Sequence, residues 1–245
     1  MSMDFQESFL CPLEKNKLAG MRSPKRREEW LLGRWTAKNL LRGCKPEFHG
    51  LNLDEIEISN TESGAPVLRF PGCELFHANL SISHSNRHAF CTLNFNPEIS
   101  VGADLEIIET RFPGLVAEYF TREEAELIEK KSALEQDILT NLFWSAKEAM
   151  LKSLNLGLRL DTRKIEIISV EGLGSENNAQ TPWFHLQVRS YLPVKWRWAA
   201  WWQKRREFVM TISAASTIFD IPEDLPLIEV PVFNTPLSFI PAFIL

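Results

Sequence analysis

The chain has 245 residues, 44% of them hydrophobic and 24% charged, which is the ordinary balance of a globular protein with a substantial core. Its net charge of −5 argues against a general nucleic-acid binder, and its four cysteines form no CxxC pair, which argues against a zinc site and favours reduced thiols. The first residues show no basic segment followed by an apolar run, so we expect no signal peptide, and five prolines keep the apolar C-terminal stretch from forming a helix that spans a bilayer.

The first strong helix is predicted over residues 24–41, with Ser23 suited to the N-cap and Pro24 to the first helical position. Basic residues recur along one stripe of this helix: Arg27, Arg34, Lys38 and Arg42. Charged stripes are usually solvated, but acidic partners are scarce here, and like charges four residues apart destabilise a helix unless something neutralises them. A bound phosphate would neutralise them, and arginine binds phosphate bidentately.

Short strands and turns are predicted next, at residues 63–66 (turn), 80–83, 89–95 and 99–107. Because Asn96-Pro97 is a turn signal, we expect the last two strands to form a hairpin. A serine hydrolase site is excluded at Ser83-His84-Ser85, since adjacent strand residues point to opposite faces and no nucleophile elbow is present. A histidine that donates to phosphate and a hydrogen-bonded loop histidine both remain open.

Asp104 and Glu106 lie two residues apart on the predicted strand 99–107, so their side chains share one face. For an isolated pair of this kind, the simplest interpretation is two solvated acids at a sheet edge. Here Val101-Gly102 precedes and Ile107-Ile108 follows, which favours a protected surface. A carboxylate in such a place needs a cation or a hydrogen-bond network.

The second half of the chain is predicted to begin its helices at Thr121, which forms a capping box with Glu124. A longer helix is predicted over residues 136–155. Strands are predicted at residues 165–170, 184–188, 194–202 and 208–214, the last two paired across the basic turn at 204–206. Because helices and antiparallel strands are interleaved in both halves, we expect an α+β fold rather than a doubly wound parallel sheet.

One face of the predicted helix 136–155 carries Trp144, Glu148 and Lys152. Lys147 is a weaker candidate because it is turned about 100° away from Glu148. Alone, Glu148 and Lys152 are an ordinary surface ion pair. If this face meets the strand of the two acids, however, three carboxylates and one lysine converge, which suits a hard divalent cation beside a phosphate.

In this order the motifs resemble the 4′-phosphopantetheinyl transferases of the larger, surfactin-synthetase-activating type. That family carries an arginine-rich first helix, a G-x-P turn, an N-[LI]-S-x-S-H-S-like segment, a [VI]-G-x-D-x-E strand and a W-x-x-K-E-[AS]-x-x-K helix. The corresponding stretches here are residues 27–38, 64–66, 79–85, 101–106 and 144–152. The resemblance spans most of residues 20–215 and implies two similar α+β halves with antiparallel sheets, related by a pseudo-two-fold.

The resemblance also implies a role for each candidate site residue. Asp104, Glu106 and Glu148 would hold Mg²⁺, or Mn²⁺, on the pyrophosphate of coenzyme A; Glu148 would also act as the base, and Lys152 would stabilise charge on the pyrophosphate and the leaving 3′,5′-ADP. The 3′-phosphate and ribose region would be bound by Arg27, Arg34, Lys38 and His84, with Ser83 bonded to phosphate. The adenine would pass along the backbone of Gly64, Ala65 and Pro66.

The predicted activity is therefore Mg²⁺-dependent transfer of phosphopantetheine from coenzyme A to a serine of an acyl or peptidyl carrier protein, as in a holo-[acyl-carrier-protein] synthase. The resemblance implies a monomer, while the scattered cysteines favour the cytoplasm and the net charge and the proline-broken C-terminal stretch argue against nucleic acid and membrane as partners. The resemblance assigns residues 1–98 to the adenine and 3′-phosphate side and 99–217 to the metal side, followed by a proline-rich tail at 218–245 that we expect to cover apolar surface. Two alternatives stay open: a metal-dependent nuclease, and a non-catalytic module that binds coenzyme A or a carrier.

Overall fold

The computed structural model describes residues 8–70, 78–155, 160–174, 182–218, 220–222, 227–230 and 242–244. Within them the helices are α1 Pro12–Ala19, α2 Pro24–Cys44, α3 Gly114–Tyr119, α4 Arg122–Glu129 and α5 Ala133–Ser153. The strands are β1 Glu57–Asn60, β2 Pro66–Arg69, β3 Asn79–Ser85, β4 His88–Asn94, β5 Ser100–Ile107, β6 Ile165–Val170, β7 Phe184–Ser190, β8 Arg197–Arg205, β9 Phe208–Ser216, β10 Ile228–Val230 and β11 Ala242–Ile244. Short 3₁₀ turns occupy Pro46–Phe48, Leu53–Glu55 and Thr162–Lys164. This is a mixed α+β architecture, as the sequence predicts.

The chain divides into two compact units. Unit 1 comprises Met1–Pro97 and Pro226–Leu245, and unit 2 comprises Glu98–Leu225.

Unit 1 is built on a four-stranded sheet in the order β10-β11-β4-β3, beside the two-stranded ribbon β1-β2. Helix α2 packs on β4 and β3, and the shared core contains Leu40, Leu41, Ile58 and Leu93, all at most 1% exposed. The N-cap of α2 is Ser23, whose hydroxyl accepts a hydrogen bond from the backbone of Arg26, as the sequence predicts.

The predicted hairpin of β4 and β5 is wrong. Strand β4 pairs antiparallel with β3 and parallel with β11, whereas β5 pairs with β9. A turn does follow β4, at residues 97–98, but there the chain passes from unit 1 into unit 2. Turn signals mark where a strand ends, and the partner of the next strand is set by non-local packing.

Unit 2 is built on a five-stranded antiparallel sheet in the order β5-β9-β8-β7-β6. Strands β8 and β9 form the predicted hairpin, with Arg205 opposite Phe208 and Arg206 at a φ of 55° in the turn. Helix α5 packs along β5 and β9, and the core between helix and sheet includes Leu142, Phe143 and Val209, each fully buried. This packing brings the helix that carries Glu148 against the strand that carries Asp104.

The helix boundaries in unit 2 follow their capping residues. Thr121 forms the predicted capping box with Glu124, each side chain accepting from the other residue's backbone N–H. Helix α5 begins at Ala133 rather than at residue 136, because the Glu135 carboxylate accepts hydrogen bonds from both the backbone and the hydroxyl of Ser132.

Candidate active site

Strand β5 and helix α5 bring together the acids and the lysine that the sequence predicts to converge. The Nζ of Lys152 donates to Oδ1 of Asp104 at 2.6 Å and to the backbone oxygen of Ala103 at 3.1 Å. The indole N–H of Trp144 donates to Oε1 of Glu106 at 3.1 Å. Both bonds cross from the helix to the strand, so the strand–helix convergence in the prediction is confirmed.

Helix and strand approach this closely because β5 carries a glycine where they meet. A Cβ atom on Gly102 would lie 1.8 Å from the backbone oxygen of Ala149 and 2.9 Å from the backbone nitrogen of Ser153. A hydrogen bond of 2.8 Å between the hydroxyls of Ser145 and Thr211 ties α5 to β9 beside the same region. The backbone of α5 therefore lies almost in contact with β5.

Within the described residues, Glu148 is the carboxylate of the group without an ion pair at hydrogen-bond distance. It is half-buried, and among the described residues it makes neither a hydrogen bond nor an ion pair. Burial raises the pKa of Glu148, the negative charges of Asp104 and Glu106 raise it further, and Lys152 opposes them. Burial and Asp104 also raise the pKa of Glu106, against the opposing charges of Arg111 and Lys152. Negative charge is thus in excess around Glu148.

The donor set suits a hard divalent cation in kind, since it consists of three carboxylates, two of them with raised pKa values. In the conformation described, Lys152 lies on Asp104 and Arg111 lies on Glu106. Across the described ranges no group of three His, Cys, Asp or Glu side chains is disposed to hold a metal ion. The ligand set of Asp104, Glu106 and Glu148 therefore stays a prediction.

Arg111 also belongs to this group of side chains, although no motif in the sequence pointed to it. Its guanidinium donates to Oε2 of Glu106 at 2.6 Å and to Oδ1 of Asn141, and it lies 3.3 Å from a carboxylate oxygen of Glu109. In the sequence, Arg111 is an arginine five residues after Glu106. It lies beyond the end of the strand, where residue spacing does not predict which way a side chain points.

Lys147 has a structural role instead. It is fully buried, 3.0 Å from the equally buried carboxylate of Glu124, and it donates to the backbone oxygens of Thr162 and Ile165. Burial lowers the pKa of Lys147, and the charge of Glu124 opposes that shift. The residue next to Glu148 thus fastens α5 to α4 and to the start of β6.

In unit 1, two residues of the basic stripe have an acidic partner that the sequence analysis did not foresee. Lys38 is fully buried, with its ammonium 2.5 Å from Oε2 of Glu14 and bonded to the backbone oxygens of Phe9 and Leu53. The guanidinium of Arg34, 6% exposed, lies 3.7 Å from Glu14 and donates to Asn60. Glu14, on α1, thus places one negative charge beside two positive ones.

Arg27 lies nearer the surface. It is half-buried and donates to the backbone oxygens of Leu18 and Met21.

The other candidate ligands in unit 1 lie at strand β3 and at the turn before β2. Ser83 is buried and His84 is exposed on β3, where Nδ1 of His84 is 3.8 Å from a carboxylate oxygen of Glu29. Gly64 has a φ of +94°, in the left-handed region that suits glycine. It lies in the turn that leads through Ala65 to Pro66, the first residue of β2. The turn is closed by hydrogen bonds between Thr61 and Ala65 and between Asn60 and Gly64.

Comparison of the sequence with known proteins identifies a family and two relatives. Residues 100–212 match the sequence profile of the 4′-phosphopantetheinyl transferase superfamily. A holo-[acyl-carrier-protein] synthase of Lactococcus lactis subsp. cremoris is 36% identical over 90 residues, which cover 35% of this chain and 72% of that protein. The chain belongs to the 4′-phosphopantetheinyl transferase superfamily.

A second relative within the superfamily is the 4′-phosphopantetheinyl transferase HetI of a Nostoc species, 26% identical over 153 residues. That match covers 60% of this chain and 61% of HetI, so the chain spans about three-fifths of the relative's length. The superfamily match runs from β5 to β9 and contains Asp104, Glu106, Glu148 and Lys152. His84 and the turn at Gly64 lie outside residues 100–212.

No helix within the described ranges is long and apolar enough to cross a membrane.

Proposed function

We propose that the chain transfers the 4′-phosphopantetheine group of coenzyme A to a serine of an acyl or peptidyl carrier protein, and so releases 3′,5′-ADP. The observation that carries this proposal is the convergence of three acids and Lys152 between β5 and α5, inside the segment that matches the superfamily. The names of the relatives, a transferase and a holo-[acyl-carrier-protein] synthase, support it.

The chemistry joins the serine oxygen to the β-phosphorus of coenzyme A and breaks the bond from that phosphorus to the oxygen bridging the two phosphates. A serine hydroxyl is a weak nucleophile at neutral pH and needs a base. Glu148 suits this role because its carboxylate is only half-buried and, among the described residues, makes no hydrogen bond or ion pair that would compete with a substrate hydroxyl. It accepts the serine proton directly or through a water molecule.

Lys152 meets the negative charge of the pyrophosphate. Its side chain is 29% exposed and ends beside Asp104, so its ammonium is within reach of a ligand at the acids. As the bridging bond breaks, charge develops on the leaving 3′,5′-ADP, and a fixed positive charge stabilises it. In the proposal Asp104, Glu106 and Glu148 hold Mg²⁺, which when bound neutralises pyrophosphate charge.

On the side of unit 1, the proposal assigns the 3′-phosphate and ribose region to Arg27 and His84, with Ser83, and the adenine to the backbone of Gly64, Ala65 and Pro66. The exposed side chain of His84 supports this assignment. Arg34 and Lys38 support the same helix from inside, and because their cationic groups already contact Glu14, the proposal gives the 3′-phosphate first to Arg27 and His84.

The carrier is acidic in the proposal, and it meets exposed basic residues at the start of α2, such as Lys25 and Arg26. The proposal further includes the larger, surfactin-synthetase-activating type, with two similar halves related by a pseudo-two-fold, and a monomeric, cytoplasmic enzyme.

The test is mass spectrometry of several apo carrier proteins incubated with the protein, coenzyme A and Mg²⁺. The expected result is a gain of one phosphopantetheine mass on the serine of at least one carrier, lost with Glu148→Gln and with Lys152→Met. Failure to modify any carrier would contradict the proposal. Retained coenzyme A binding without transfer would favour a binding module, and nicking of plasmid DNA would favour a nuclease.

A further inference from the structure

We propose that Arg111 and Trp144 are positioning residues that hold the two oxygens of the Glu106 carboxylate in place for cation binding. This inference rests on the proposed function for one point, that a divalent cation binds at Asp104, Glu106 and Glu148. Neither Arg111 nor Trp144 is assigned to the reaction itself.

Both oxygens of the Glu106 carboxylate accept a hydrogen bond from a side chain. Oε1 accepts from the indole N–H of Trp144 at 3.1 Å, and Oε2 accepts from the guanidinium of Arg111 at 2.6 Å. The backbone of Glu106 is already fixed opposite Val209 by the pairing of β5 with β9. The side-chain torsions are the remaining freedom, and one donor on each oxygen removes it.

Both donors are themselves fixed. Arg111 is held by Oδ1 of Asn141 and by the carboxylate of Glu109, and Asn141 in turn donates to the backbone oxygens of Glu109 and Asp137. The indole ring of Trp144 packs edge-on against Tyr119, with ring centroids 5.1 Å apart. Arg111 and Trp144, held by these contacts, form a rigid clamp on the Glu106 carboxylate.

The clamp leaves Glu106 able to bind further ligands. Each carboxylate oxygen has two acceptor directions, and Trp144 and Arg111 occupy one on each oxygen. Residues that orient a metal ligand in this way typically change metal affinity or activity about 10–100-fold when they are altered.

The experiment measures Mn²⁺ binding to the free protein by electron paramagnetic resonance, without coenzyme A or carrier. Trp144→Phe keeps the ring and removes its N–H; Arg111→Lys keeps the charge and removes the planar fork that reaches Glu106 and Asn141 together. We expect each to weaken Mn²⁺ binding roughly 10-fold or more. In a Glu106→Gln background, neither should weaken it further, because both act through Glu106.

Two matched controls separate positioning from stability. Trp202→Phe removes an indole donor from the backbone oxygen of Glu171, and Arg122→Lys alters an exposed ion pair with Glu126. Both should leave Mn²⁺ affinity unchanged, whatever they do to the melting temperature.

The inference is overturned if Trp144→Phe and Arg111→Lys bind Mn²⁺ as the wild type does. It is also overturned if they lose the same factor in the Glu106→Gln background, or if the wild type binds no Mn²⁺. Transfer to a carrier is measured in parallel. If the wild type transfers phosphopantetheine and the two variants bind Mn²⁺ normally, the positioning role is wrong and the proposed function stands. If the variants bind Mn²⁺ more weakly but the wild type modifies no carrier, the proposed function is wrong and the positioning role stands.

Discussion

Glu148 combines a raised pKa with the absence, among the described residues, of any hydrogen bond or ion pair. Its ionised form is opposed by burial first and by the charge of Asp104 next. A group of this kind lowers the stability of the folded state, and proteins tolerate it at sites where it serves a function. This gives the proposed base a signature that can be measured without any substrate.

We predict that Glu148→Gln makes the protein more stable at neutral pH in the presence of a chelator. Because the folded-state pKa of Glu148 lies above its ordinary value, the folded state binds more protons than the unfolded state between those two pH values. The wild type therefore loses stability as pH rises through that window, and the variant does not. The gain should be present at pH 7 and vanish below about pH 4.5, the ordinary value.

Thermal unfolding of the wild type and of Glu148→Gln from pH 4 to pH 8 checks this prediction. The melting temperature of the variant should rise by roughly 2–4 °C for each kcal/mol gained. Glu118→Gln, at a residue on α3 whose side chain lies on the exposed surface, is the control and should change little. A variant less stable than the wild type at pH 7 would show that Glu148 is a satisfied structural carboxylate.

Residue-level prediction succeeded where backbone period fixes direction. A spacing of two on a strand predicted that Asp104 and Glu106 share a face. A spacing of four on a helix predicted the same for Trp144, Glu148 and Lys152. Residue-level prediction missed the acidic partner of Arg34 and Lys38, because Glu14 lies on α1, whose sequence PLEKNKLA has too few apolar residues to show a helical period. A charged stripe that looks solvated can be buried when a short, unrecognised helix covers it.

At the scale of elements, the site depends on how closely α5 approaches β5. We predict that Gly102→Ala destabilises the protein by about 1–3 kcal/mol or more, because its Cβ would meet the backbone of α5, which cannot rotate away as a side chain can. Transfer activity should fall as well, since Glu148 and Lys152 move with the helix. Urea unfolding checks the first effect and the carrier assay the second.

Gly50→Ala is the matched control, since a Cβ there meets nothing within 4 Å and the φ of Gly50 is not in the left-handed region. If Gly102→Ala proved as harmless as this control, the close approach of strand and helix would be wrong.

The buried pair of Lys147 and Glu124 is the second link between elements. We predict that Lys147→Met costs about 3–5 kcal/mol of unfolding free energy, because it leaves Glu124 buried without its cation. Adding Glu124→Gln should recover part of that loss, since the second change removes the stranded charge. Chemical denaturation of the two single variants and the double variant measures the coupling.

Arg122→Ala supplies the comparison, because its pair with Glu126 is exposed and should be worth no more than about 1 kcal/mol. Equal losses for Arg122→Ala and Lys147→Met would mean that the buried pair is not structural. At temperatures where the Lys147→Met protein is folded, its turnover should persist.

Capping residues and amphipathic faces let the sequence predict most helices of unit 2, and the β8-β9 hairpin follows from two strands joined by a short polar turn. The failure was the strand after Asn96-Pro97. Both β4 and β5 are largely buried, so neither shows the alternation that would have fixed a face and restricted the choice of partner.

For the whole molecule, the distinctive feature is that the chain's end returns to the first unit. Strand β11 pairs parallel with β4, Phe243 opposite Thr92 and Ile244 opposite Leu93, and β10 pairs antiparallel with β11. The sequence predicted that a proline-rich tail at 218–245 covers apolar surface, a prediction that lies largely outside the described residues. It gave no partner, because parallel pairing between distant segments leaves no local signal.

We predict that ending the chain at Leu225 lowers the melting temperature and promotes aggregation, because β4 would lose the neighbour on one side and expose an unpaired edge. Hydrogen exchange should localise the damage: the amides of β4 should exchange faster, while those of β9, in the sheet of unit 2, keep their protection. In the full-length chain, Ile244→Pro should reproduce the effect in part by removing a backbone donor from β11, and Ile244→Ala should do so less because it keeps the backbone N–H. An unchanged melting temperature and unchanged exchange at β4 after truncation would show that β11 contributes nothing to the sheet, and the C-terminal strand would then have no part in holding unit 1 together.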